Sequence, residues 1–307
     1  MLYTDNVKKN KYYLICVAFF SMAYICFLVF DWQQQQNPQQ QQLEIINANN
    51  IDALIFGGSN ATNSLSARQL SAVSNERWHN ASMAGELGSQ IAYEKFILKV
   101  ASKKNKDEFK VVVYSSILPY TSNSIKKYTE RRPDGFKIIP SFSIAGYLKS
   151  YFINRLDEAA MEKNELNKDE LIFNSFGDFT NPKKNCFYNI NKNKFNPETV
   201  ENSTNFLVNK SYFLATNFPN SKIYITLPSL YYASQTSKFL IYTAKLKESF
   251  NRNLYLMHPK LTDRITLIVQ PLYPIIDDVC SDPHHATALG RIWRTNDLLK
   301  SMVDSIK

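Results

Sequence analysis

IDALIFGGSN, residues 51–60, reads as a buried strand that runs directly into a glycine turn. Ile51 to Phe56 is a short apolar run rich in β-formers, and Gly57-Gly58-Ser59-Asn60 is the small, polar punctuation that ends such a run. A serine beside glycines just beyond a buried strand is one half of a serine acyl-transfer site. The other half lies far along the chain in Asp282-Pro283-His284-His285, where an aspartate stands three residues before a histidine.

Working outward from residues 51–60, strand-like runs recur at Arg77–Ala81, Phe109–Ser115, Lys222–Thr226 and Ile265–Gln270. Helical patterns fall at Ser66–Val73, Gln90–Ser102, Ser203–Thr216, Gln235–Asn251 and Ala286–Ile306. Strands alternating with helices predict an α/β domain around a parallel sheet of about five strands. The stretch 118–200 breaks the rhythm and reads as an insertion roofing the site, with a helix near Ile144–Glu165. The domain is expected to span 49–307.

Upstream, residues 12–30 (YYLICVAFFSMAYICFLVF) carry no charge and are long enough to cross a bilayer core. Lys8, Lys9 and Lys11 precede the run and Asp31-Trp32 follows it. The basic flank, residues 1–11, is therefore expected in the cytoplasm and the bulk of the chain outside it, as in a single-pass inner (cytoplasmic) membrane protein with a periplasmic or other extracytoplasmic domain. A cleaved signal peptide would have a shorter apolar core and small residues at its cut site. Residues 31–48, with QQQQNPQQQQ at 33–42, read as a flexible Gln-rich spacer.

A hydrophobic content of 44% fits a folded domain, and the formal charge of +9 includes the cytoplasmic lysines. Pairs such as Lys126-Lys127, Arg131-Arg132 and Lys183-Lys184 read first as solvated surface and second as faces for anionic glycans or lipid headgroups, and nucleic acid is not an expected partner outside the cytoplasm. Cys16 and Cys26 fall in the apolar run. Cys186 and Cys280 are then either one disulfide or two independent cysteines, since spacing does not give connectivity. No spacing of Cys and His suggests a structural zinc site.

Each half of the site also has a plain structural explanation. Gly57-Gly58-Ser59-Asn60 serves as a strand-to-helix turn with Ser59 as cap, and Asp282-Pro283 is a good helix start. The helix start does not account for His285. With Asp282 holding its Nδ1–H, His285 would have Nε2 available to take the Ser59 proton. His79, in a strand, and His258, before Pro259, read as packing or loop residues.

Four segments together, IFGGSNATNSLSARQLS (55–71), WHNASMAGELGSQIAYEKF (78–96), FKVVVYSSILPY (109–120) and DPHHATALGRIWRTNDLL (282–299), resemble the blocks of the SGNH (GDSL-like) hydrolases. More narrowly, the chain is similar to membrane-anchored bacterial members associated with envelope polysaccharide modification. The resemblance implies a flavodoxin-like three-layer fold, with Ser59 as nucleophile, His285 as general base and Asp282 as its orienting partner. It implies an oxyanion hole from the N–H groups of Ser59 and Gly85. Many members add an asparagine side chain in the third block; here Tyr114-Ser115-Ser116 stands there, so Ser116, or Asn123 folding back, is the substitute to look for. The implied activity is esterase or O-acyltransferase chemistry on a glycan, acetyl being the expected group. It needs no cofactor beyond an acyl donor, which a membrane partner could supply. A catalytically silent scaffold in a polysaccharide assembly complex is the alternative.

Overall fold

A computed structural model describes residues 38–82, 90–103, 108–120, 174–178, 199–228, 230, 236–273 and 286–305, with 17, 19–22 and 24 of the apolar run, which are helical. Its core is a five-stranded parallel sheet: β1 (Ala53–Gly57), β2 (Trp78–Asn80), β3 (Val111–Ser115), β4 (Lys222–Leu227) and β5 (Ile265–Val269). The order across the sheet is β2-β1-β3-β4-β5. Every residue of β1 is buried, as are the last four of β3 and the last five of β4. Strands covered on both faces need apolar side chains at consecutive positions, which is why ALIFG, VVVYS and KIYITL are continuous runs rather than alternating ones.

Seven helices flank the sheet among the described residues: α1 (Pro38–Ala48), α2 (Ser59–Ser64), α3 (Ala67–Val73), α4 (Gln90–Lys103), α5 (Val200–Asn217), α6 (Thr236–Met257) and α7 (Ala288–Asp304). One face carries Leu43, Ile46, Phe96, Leu207, Leu246 and Phe250 from α1, α4, α5 and α6, packed on Leu54, Phe56, Val112, Ile223 and Ile225. The opposite face carries Ala61, Leu65, Ala67, Leu70, Leu298 and Met302, from the α2–α3 segment and α7, packed on Ala53, Ile55, Val113 and Tyr224. The result is a three-layer α/β sandwich.

One sequence expectation changes. The end of the Gln-rich stretch is a helix docked on the domain, not a flexible spacer through residue 48. Pro38 fits the start of a helix, and glutamine is a good helix former. Leu43 and Ile46, three residues apart, bury into the core, and the fully buried Gln42 donates from Nε2 to Gly177 O (3.4 Å) and meets His79 Nε2 through Oε1 (2.5 Å).

Among the described residues no helix is long and apolar enough to cross a membrane; most of the apolar run 12–30 lies outside them. The helix expected at 144–165 lies outside them as well. Within the expected insertion, Asn174–Asp178 lies against the sheet edge, where Asn80 N–H donates to Phe176 O (2.8 Å).

Candidate functional site

The strand order reverses direction between β1 and β3: the chain leaves β1 for β2 on one side and returns to β3 on the other. In an open α/β sheet the crevice beyond the strand ends at such a switch is where ligands bind. Gly57 is the last residue of β1 and pairs with Ser115, the last of β3. Ser59 follows two residues later, partly exposed, as the first residue of α2 behind the N-cap Gly58.

The local sequence accounts for this turn. Gly57 has φ +153°, and a Cβ there would come within 2.3 Å of Ser115 O and 2.8 Å of Ala61 Cβ. Only glycine lets the two strand ends approach this closely. Gly57 N–H donates to Tyr93 Oη (2.5 Å) on α4, while Gly58 O accepts from Ala61 N (2.9 Å) and Thr62 N (3.1 Å) to open α2. The buried Asn60 donates from Nδ2 to Ser115 Oγ (3.0 Å), and Asn63 Nδ2 donates to Ser59 O (2.8 Å).

Strand parity separates the two third-block serines. Ser115 shares a face with Val113 and meets Asn60 on α2. Ser116 is fully buried, with its N–H bound to Thr226 O (3.1 Å) and its Oγ accepting from Leu118 N (3.3 Å). The residue bonded to the turn after β1 is Ser115, through Asn60, and the sequence reading passed over it. Alternation sets the two on opposite faces, and the register of β3 against β1 puts Ser115 at the turn.

At the far end of α2, Ser64 Oγ accepts from Ala286 N (3.2 Å) and from Arg294 Nη1 (2.6 Å). Arg291 Nε donates to Asn63 O (3.1 Å), and Ser66 N–H donates to Thr295 Oγ1 (3.1 Å). Ala286, whose sequence neighbour is His285, is therefore attached to the helix that begins with Ser59. Asp282 and His285 themselves, with Gly85, Asn123, Cys186 and Cys280, lie outside the described residues.

Asp178 is a buried group that the sequence reading missed. It accepts from Ser66 Oγ (2.9 Å), Ala67 N (2.7 Å) and Arg68 N (3.0 Å), so a residue of the insertion caps α3 more than a hundred positions away. Burial pushes its carboxyl pKa up, against the pull of those hydrogen bonds and of Arg291. No local pattern in the chain announces a cap supplied from so far off.

The other described histidines are structural. His79 has no exposed surface, and burial lowers its pKa from 6.5 to about 3, so its ring is neutral beside Gln42. His258 stacks on Tyr212 with ring centroids 4.3 Å apart. Among the described residues no group of three or more His, Cys, Asp or Glu side chains is placed to hold a metal ion.

No family model matches the chain. No curated protein sequence matches it. Among solved structures it is similar to an acetyl xylan esterase, Est2A, from the rumen bacterium Butyrivibrio proteoclasticus, at 8% identity and a TM-score of 0.40. The match covers 83% of this chain and 64% of that one, so the chain spans less than two thirds of that structure's length.

Proposed function

We propose that this chain is a membrane-anchored, envelope-facing serine esterase or O-acyltransferase of SGNH type, acting on an acyl group, expected to be acetyl, carried by a glycan. The observation that carries the reading is the placement of Ser59, at the β1/β3 switch point and on the same short helix that holds the residue next to His285. In this reading Ser59 Oγ attacks the ester carbonyl carbon and His285 Nε2 takes its proton, while Asp282 holds the imidazole through Nδ1–H. The tetrahedral oxyanion is met by the N–H groups of Ser59 and Gly85. The bond to the leaving alcohol breaks as His285 returns the proton to it, leaving an acyl-Ser59. Water or a sugar hydroxyl, deprotonated by His285, then attacks that ester and releases Ser59. Water gives hydrolysis and the sugar gives transfer.

Ser116, or Asn123 folding back, is the expected third oxyanion donor; the full burial of Ser116 weighs against that role, and Asn123 lies outside the described residues. Loss of one such donor costs about 10²–10³ in rate, so slow turnover of simple esters belongs to the proposal. The same observation favours the one rival, a silent scaffold that uses the fold to bind glycan or partner proteins. The anchor is the apolar run 12–30, the acyl donor comes through a membrane partner, and the domain lies outside the cytoplasm.

A membrane-impermeant fluorophosphonate applied to intact spheroplasts tests chemistry and placement together. The expected result is one adduct, mapped to Ser59 and lost in Ser59→Ala. Labelling only after lysis would remove the outward topology; no Ser59 adduct in either preparation would leave the scaffold.

A further inference from the structure

Ser64 closes the six-residue helix that Ser59 opens, about 7.5 Å away along the axis. It is 1% exposed. A hydroxyl oxygen has two lone pairs, and here both are engaged, by Ala286 N–H and Arg294 Nη1. Arg294 is fully buried and permanently charged, so its short, charge-assisted bond is the stronger of the two. The arginine is anchored in turn, since Gln270 Nε2, one residue beyond β5, donates to Arg294 O (2.7 Å). One peptide, about 3.8 Å between Cα atoms, separates Ala286 from His285.

We propose that Ser64 is a positioning residue: under the Arg294 guanidinium it holds the chain immediately after the Asp282–His285 motif at a fixed offset from Ser59, and so sets the alignment of base and nucleophile. This rests on the serine-hydrolase reading above. Ser64 touches neither substrate nor the reacting atoms; it acts through Ala286.

The test compares Ser64→Ala with Ser66→Ala in the full-length protein. Ser66 caps α3 through Gln69 N (3.2 Å) and bonds Asp178, so its loss loosens the same region without touching Ala286. Two quantities are read: hydrogen exchange in the peptide containing Ala286, and the second-order rate of fluorophosphonate addition to Ser59 across pH. Ser64→Ala is expected to speed exchange at Ala286 and slow labelling by about tenfold or more, since small misplacements of reacting groups are costly. Ser66→Ala is expected to leave Ala286 exchange unchanged and labelling within about twofold of the unaltered protein. Equal slowing in both variants, or unaltered labelling in Ser64→Ala, overturns the positioning role. If the unaltered protein takes no label while exchange at Ala286 still depends on Ser64, the hydrolase reading fails and the positioning role falls with it, the contact being structural alone.

Discussion

The two faces of the sheet are covered by different means. On one, α5 and α6 run 18 and 22 residues and, with α1 and α4, bury aliphatic and aromatic side chains such as Phe96, Phe218 and Phe250. On the other, α2 and α3 have six and seven residues, too few to be stable helices alone. Those two bury only the small cluster of Ala61, Leu65, Ala67 and Leu70 and are held besides by directed bonds: Asp178 on the start of α3, Arg291 and Arg294 on the end of α2, and Gln69 Nε2 on Asn296 Oδ1 (2.7 Å). Apolar burial is non-directional and supplies cohesion, whereas a hydrogen bond fixes a distance and an angle. The face that carries Ser59 is thus the one built for position, and the other the one built for stability.

Substitutions on the two faces should therefore differ in kind. Phe218 is fully buried and packs edge-on against Phe109, with ring centroids 5.7 Å apart, and against Phe56 at 5.8 Å. Phe218→Ala is expected to lower the unfolding free energy by about 3–5 kcal/mol in urea denaturation. Asp178→Asn, which weakens a charged acceptor with three donors, is expected to cost about 1–3 kcal/mol. A larger loss from Asp178→Asn than from Phe218→Ala would break the contrast.

The remaining expected effect depends on pH and concerns the joint between α1 and the sheet edge. His79 titrates near 3 in the fold, against 6.5 for an unperturbed ring, because burial disfavours its charged form. The unfolded chain binds the proton first as pH falls. The stability associated with the neutral ring is then complete above about pH 6.5 and declines toward pH 3, by about 1.4 kcal/mol per unit. Subtracting the denaturation profile of His79→Gln from that of the unaltered protein isolates this slope from the carboxylates, and parallel profiles would show that His79 contributes none.

The strands were legible because burial on both faces writes itself as ALIFG, VVVYS and ITLIV, patterns readable within five residues. α1 was not, because its glutamines look the same in a spacer and in a helix. What decides its state is Leu43 and Ile46 docking on the core and Gln42 reaching His79 and Gly177, contacts 37 and 135 positions away. The same reason hid Asp178. Ser59 stood out because Gly57 can be nothing but glycine against Ser115 O. Ser115 and Ser116 were confused because telling them apart needs the register of β3 against β1, beyond the composition of the block.

In the proposed function, the turn after β1 and the motif before α7 form one catalytic unit. A crystal structure of the protein that defines residues 282–285 measures this directly. His285 Nε2 is expected within about 2.6–3.2 Å of Ser59 Oγ, or slightly longer without substrate, with the Asp282 carboxylate on Nδ1. An imidazole turned away from α2, with Asp282 serving as no more than the cap of a helix, would contradict it.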